Sequence, residues 1–95
     1  MDFNKFTNEE TKTIRIEYDR ITINKAISAT TGAYNVTVVF TAFPNDYKLL
    51  YSVIGNFHWK HGVYSKTDTQ FVIRVGNDGD SKHTLKSIEY FLIGF

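Results

Sequence analysis

The chain has no cysteine, a single proline, and only four alanines and four leucines among its 95 residues. Without cysteine there is no disulfide, no thiolate nucleophile and no cysteine-based zinc site. Small secreted domains usually depend on such cross-links, so a reducing, cytoplasmic location is expected. Charge of one sign is missing as well. Eleven Lys and Arg against ten Asp and Glu leave a formal charge of +1, too little for a broad field that would steer nucleic acid or an acidic partner. No apolar run approaches the ~20 residues that span a bilayer. The opening residues MDFNKFTNEE lack the basic-then-apolar order of a secretory signal.

Catalytic fingerprints are equally scarce. There is no nucleophile elbow, phosphate loop or dinucleotide motif. Gly76 and Gly79 lack the third glycine and following helix that such a motif needs, and the five serines stand without motif context. These absences lead to the expectation of a protein that is not an enzyme, with no cofactor and no metal.

What is present favours strands. Aromatic residues make up 16% of the chain, and Val, Ile and Thr are plentiful. The organising stretch is Tyr47–Lys60. Its odd positions, Tyr47, Leu49, Tyr51, Val53, Phe57 and Trp59, form an apolar face interrupted only by Gly55. Gly55 marks a bend or bulge, and Trp59 is expected to be largely buried beside Phe57 and Tyr51. A helix over 46–54, capped by Asn45 or Asp46, is the alternative.

Elsewhere the alternation is clear. Ile14, Ile16 and Tyr18 share one parity, while Ile21, Ile23 and Ile27 share the other, which predicts a turn or bulged corner at Asp19–Arg20. Tyr34, Val36, Val38, Phe40 and Ala42 predict a second strand, closed by a turn at Phe43-Pro44-Asn45-Asp46. Lys60–Val63 reads as a tight turn around Gly62. Phe71, Ile73 and Val75 mark a short strand, and Asn77–Asp80 a hairpin turn joining it to 87–93. Residues 82–95 also fit a helix face through Leu85, Ile88, Leu92 and Phe95. The apolar end Tyr90–Phe95 is expected to lie within the sheet, with Phe91 and Ile93 or their neighbours packed inside and its edge available for self-association.

The expected architecture is therefore mostly β: one domain over 1–95, five to seven antiparallel strands in a small sandwich or barrel. Residues 1–11 are expected to be flexible or a short helical segment. The alternative is α+β with a helix at about 46–54 or at the C-terminus.

Four groups of residues are candidates for chemistry. His58 and His61 fall on opposite strand faces, and His83 is the only other histidine, so a converging metal site is not expected. Asn77, Asp78 and Asp80 lack the ligand run and closing Glu of a calcium loop. Glu17 and Asp19 share a strand face but sit among Arg15, Arg20 and Lys25, which suits a solvated ion-paired surface better than acid–base work. The fourth group mixes basic and aromatic side chains: Lys48, His58, Lys60, His61, Tyr64 and Lys66, with Trp59 beside them. These six are the candidate binding residues.

The function expected is a small protein-interaction module that binds by its surface, of the kind found among accessory or inhibitor proteins of phage and other mobile elements. The abundance of Asn, Lys, Ile, Tyr and Phe, typical of A/T-rich coding, belongs to the same picture. A protein partner is expected, with homo-oligomerisation through the C-terminal segment considered beside it and no membrane. Single-stranded nucleic acid on an OB-like barrel is the alternative.

Overall fold

A computed structural model describes residues 14–28, 32–55, 59–77 and 82–95. Six strands account for most of them: β1 (Arg15–Ile27), β2 (Tyr34–Val39), β3 (Tyr47–Gly55), β4 (Lys60–Lys66), β5 (Gln70–Gly76) and β6 (His83–Gly94). There is no helix among the described residues, so neither alternative helix exists: 47–55 and 83–94 are both strands. The β-branched and aromatic content of those segments, together with backbone pairing on both sides of β6, overrides their helical spacing.

The strands form two antiparallel three-stranded sheets, ordered β1-β6-β3 and β2-β5-β4. They pack face to face around one core, as a sandwich does. β6 contributes Leu85, Ile88, Tyr90 and Leu92 to that core; β5 contributes Phe71, Ile73 and Val75; and β2 contributes Val36 and Val38. Phe71 meets Tyr90 edge-on across the sheets, with centroids 5.2 Å apart. Tyr47 is buried, and Leu49, Tyr51 and Val53 pack against the same cluster, as the alternation in β3 requires. Trp59 is half-buried against the core, its indole lying beside Gly55. Phe57 and the N-terminal segment lie outside the described residues.

Several sequence expectations are corrected. There is no corner at Asp19–Arg20, because β1 runs straight through them, paired residue by residue with β6 from Arg15–Gly94 to Thr22–Ser87. The parity change has another cause. Ile14, Ile16 and Tyr18 point outward, and Arg15 points inward. Its Nη atoms donate to the Thr41 carbonyl and, at 3.3 Å, to that of Ala42. Its guanidinium lies 3.6 Å from the Phe43 ring centroid and pairs with Glu17 at 3.0 Å. The bulge in β1 comes later: Ile23 and Asn24 together oppose Lys86, and Asn24 takes a positive φ of 50°.

Lys60–Val63 is strand and not turn, and Gly62 has no positive φ. The segment after Gly76 does not close a hairpin either, since β5 and β6 belong to different sheets. The hairpin of this region is β4–β5, where the Thr67 amide donates to the Gln70 carbonyl at 2.7 Å. The residues Asp78-Gly79-Asp80 lie outside the described ones.

The C-terminal strand is integral, as expected, and the inward side chains are the neighbours Tyr90 and Leu92, while Phe91 points out. β6 is also the middle strand of its sheet. Both its edges are occupied, so self-association through an open edge of this segment is excluded. The chain end is fastened by the corner before β3: the Asn45 amide donates to the Phe95 carbonyl at 2.8 Å, and the Phe95 amide to that of Asp46 at 3.3 Å.

Candidate functional site

Of the five predicted binding residues that are described, Lys60, His61 and Tyr64 line one hollow on the β2-β5-β4 sheet, and Lys48 and Lys66 lie elsewhere. Lys48 lies on the outer face of the β1-β6-β3 sheet, opposite Ile93. Lys60 and Tyr64 belong to edge strand β4 and the outer face of the other sheet. His61 turns the other way and closes the gap between the two sheets. Its Nδ1 is 2.9 Å from the Tyr51 hydroxyl, and the rings meet edge-on. Burial raises the pKa of that hydroxyl above the usual tyrosine value. Lys66 is a structural clamp: its Nζ donates to the Tyr47 carbonyl at 3.2 Å and sits 4.1 Å from the Tyr47 ring centroid. Tyr47 in turn donates to the Thr67 carbonyl at 2.6 Å, and its pKa is pushed up by burial, with Asp68 and Asp46 adding to the effect. His58 lies outside the described residues.

The sheet registers reveal an apolar surface that includes Phe91, one of the residues expected inside. Tyr18 pairs with Phe91, which pairs with Leu50; Ile16 pairs with Ile93, which pairs with Lys48. These rows share the outer face, and Ile14 continues the line. Ile14 is 65% exposed, Ile16 62%, Tyr18 52%, Leu50 50% and Phe91 41%. Tyr18 and Phe91 pack together with centroids 4.8 Å apart, so part of the face is already ordered.

Two hollows open on this face. One of about 370 Å³ lies at its end between Ile14, Lys48, Ile93 and Phe95. One of about 230 Å³ lies between Leu50, Ser52, Glu89 and Phe91.

A polar row borders the patch. The Tyr18 hydroxyl donates to Glu89 Oε2 at 2.9 Å, and Arg20 Nη2 donates to the same oxygen at 3.1 Å. These bonds, Tyr18 first and Arg20 second, hold the Glu89 carboxyl below the ordinary glutamate pKa. The same carboxylate raises the Tyr18 pKa. Within the described residues no three His, Asp or Glu side chains gather to hold a metal ion. No helix there is long and apolar enough to cross a membrane.

The sequence gives the parity of Ile14, Ile16 and Tyr18 but not the side they face, and the expected corner at Asp19–Arg20 hides that the inward positions at this end of β1 belong to Arg15 and Glu17. The available signal was the unbroken odd parity of Arg15, Glu17, Asp19, Ile21 and Ile23, which fits one straight strand without a corner. Comparison of the chain with protein-family models, curated proteins and solved structures found no match.

Proposed function

We propose that this protein is a small interaction module, working without a cofactor, that presses the outer face of the β1-β6-β3 sheet against another protein. The observation that carries the reading is the cross-strand apolar row of Tyr18, Phe91 and Leu50, extended by Ile16 and Ile14. Five large side chains about half exposed present on the order of 500 Å², near the upper end of what a monomer leaves uncovered. Their central aromatic pair suits a protein surface, where aromatic anchors dominate affinity. Arg20, Glu89 and Lys48 at the margin supply the polar rim typical of such interfaces. An accessory or inhibitor role in a mobile element remains the context that the composition favours.

The test is site-specific photo-crosslinking in cells. A photoreactive phenylalanine at position 91 or 50 should capture a defined protein partner. The same group at Val39, more exposed than either at 72% but on the other sheet, should not. Capture of the same partner from position 39, or from none of the three, would refute the assignment of this face. A crosslinked species at twice the chain's mass would identify the partner as a second copy.

A further inference from the structure

The outer face of the β2-β5-β4 sheet has an independent feature. The register places Lys60 opposite Gly76 and Gly62 opposite Arg74, so neighbouring strands each present a glycine on this face, on a diagonal. No atom lies within 4 Å of where a Cβ on Gly62 would stand, and at Gly76 the nearest is the Lys60 carbonyl oxygen at 3.8 Å. Two missing side chains thus open a hollow of about 390 Å³ over bare backbone. Tyr64, Arg74, Lys60 and His61 are among the residues that line it.

Arg74 is held in place by two contacts. Its Nε donates to Asn35 Oδ1 at 3.0 Å, and its guanidinium carbon lies 3.6 Å from the Tyr64 ring centroid. Tyr64 reaches that position because it is the extra residue of a bulge between Val63 and Ser65. Neither Nη group of Arg74 has a partner among the described residues, nor does Lys60 Nζ, and no carboxylate lines the hollow.

This combination selects its ligand. A flat strip of backbone without Cβ atoms admits a planar ring at van der Waals distance. A fixed guanidinium fork and a mobile ammonium beside it suit the oxygens of a phosphate. An acidic side chain would use the cations but leave the apolar floor empty. We propose that the hollow binds a nucleotide unit, with the base lying over Gly62 and Gly76 and the phosphate between Arg74 and Lys60. The shared chemistry is a base with its phosphate, supplied either by a free mononucleotide or by a single-stranded nucleic acid. With only two cations engaged and a net charge of +1, binding should be weak. Its salt dependence on a single strand should be shallow, a log–log slope of about −1.4.

The experiment is amide NMR titration of the full chain with a uridine or adenosine monophosphate, and separately with a short oligothymidylate. The Gly62, Gly76 and Arg74 amides are expected to shift. Shifts with both ligands identify a mononucleotide site, and shifts with the oligonucleotide alone identify a strand site. Gly62→Val fills the hollow at a strand position with ordinary φ, so its melting temperature should hold while affinity falls at least tenfold. Lys60→Ala should weaken oligonucleotide binding and flatten its salt slope by about 0.7. The proposal fails if these amides stay unmoved by either ligand up to on the order of 1 mM, or if Gly62→Val binds as the parent does. Because the site is on the opposite sheet from the apolar face, failure here leaves the protein-partner reading untouched, and the reverse also holds.

Discussion

Leu92 and Phe91 are adjacent in β6, both large and both apolar, yet the fold assigns them opposite roles. Leu92 is fully buried at the centre of the core, and Phe91 is 41% exposed on the outer face. Leu92→Ala removes three buried carbons, about 2.4 kcal/mol at ~0.8 kcal/mol each. The cavity left in a middle strand, flanked by Glu17 of β1 and Leu49 of β3, adds to that, for a total of about 3–4 kcal/mol. For a domain of this size each kcal/mol is worth roughly 4–8 °C, so the midpoint should fall by roughly 12 °C or more. Phe91→Ala loses only a partly covered ring and its contact with Tyr18, about 1 kcal/mol. Thermal melts followed by circular dichroism, on both variants at matched concentration, give the comparison. Equal losses, or a larger loss for Phe91→Ala, would mean that β6 is displaced by one residue. Every inward and outward assignment in that sheet would then reverse.

Other expectations follow from particular contacts. Gly94→Ala should destabilise by about 1–3 kcal/mol, because a Cβ there runs into the Asp46 carbonyl oxygen and lies 2.8 Å from Phe43 Cδ2 and 2.9 Å from Tyr47 Cα; a denaturant midpoint equal to the parent's would show that this corner is looser than described. Glu89→Gln tests the network with Tyr18 and Arg20. A folded-state pKa held down stabilises the fold above the ordinary glutamate value of about 4.3, and the contribution fades as pH drops through the folded value. The parent should therefore lose more melting temperature than the variant between about pH 7 and about pH 3, and an equal loss would remove the network from the account. Trp59→Ala should cost about 2–4 kcal/mol in urea unfolding, since the indole is half-buried against the core; no change in the midpoint would place Trp59 outside it.

Much of the fold was legible because alternation is a direct record of strand faces. Val36, Val38, Tyr47, Leu49 and Val53 all point where their parity says. What misled were places where a local rule met a tertiary demand. Gly62 signalled a turn, but it lies inside strand β4 without a positive φ. Asn77 signalled the start of a hairpin; its side chain instead donates to the Ile27 carbonyl at 2.8 Å, tying the end of β5 to the end of β1 across the sandwich. The site residues were less legible still. Lys48, Lys60 and Lys66 are near one another in sequence, but a lysine's direction depends on strand pairing, and the three leave on different surfaces. Arg74, which walls the glycine hollow, sat unnoticed in an apolar strand.

The β1-β6-β3 outer face is the surface we propose this protein uses. The most direct measurement is the affinity for the crosslinked partner of two double variants, each checked by its melting curve. Tyr18→Glu with Leu50→Glu puts charge on the apolar row, and Thr37→Glu with Val39→Glu puts the same charge on the exposed outer face of the opposite sheet. The first pair is expected to abolish binding while the protein still melts cooperatively, and the second pair to bind as the parent does. Retained binding by the first pair, or its loss in the second alone, would contradict that proposal.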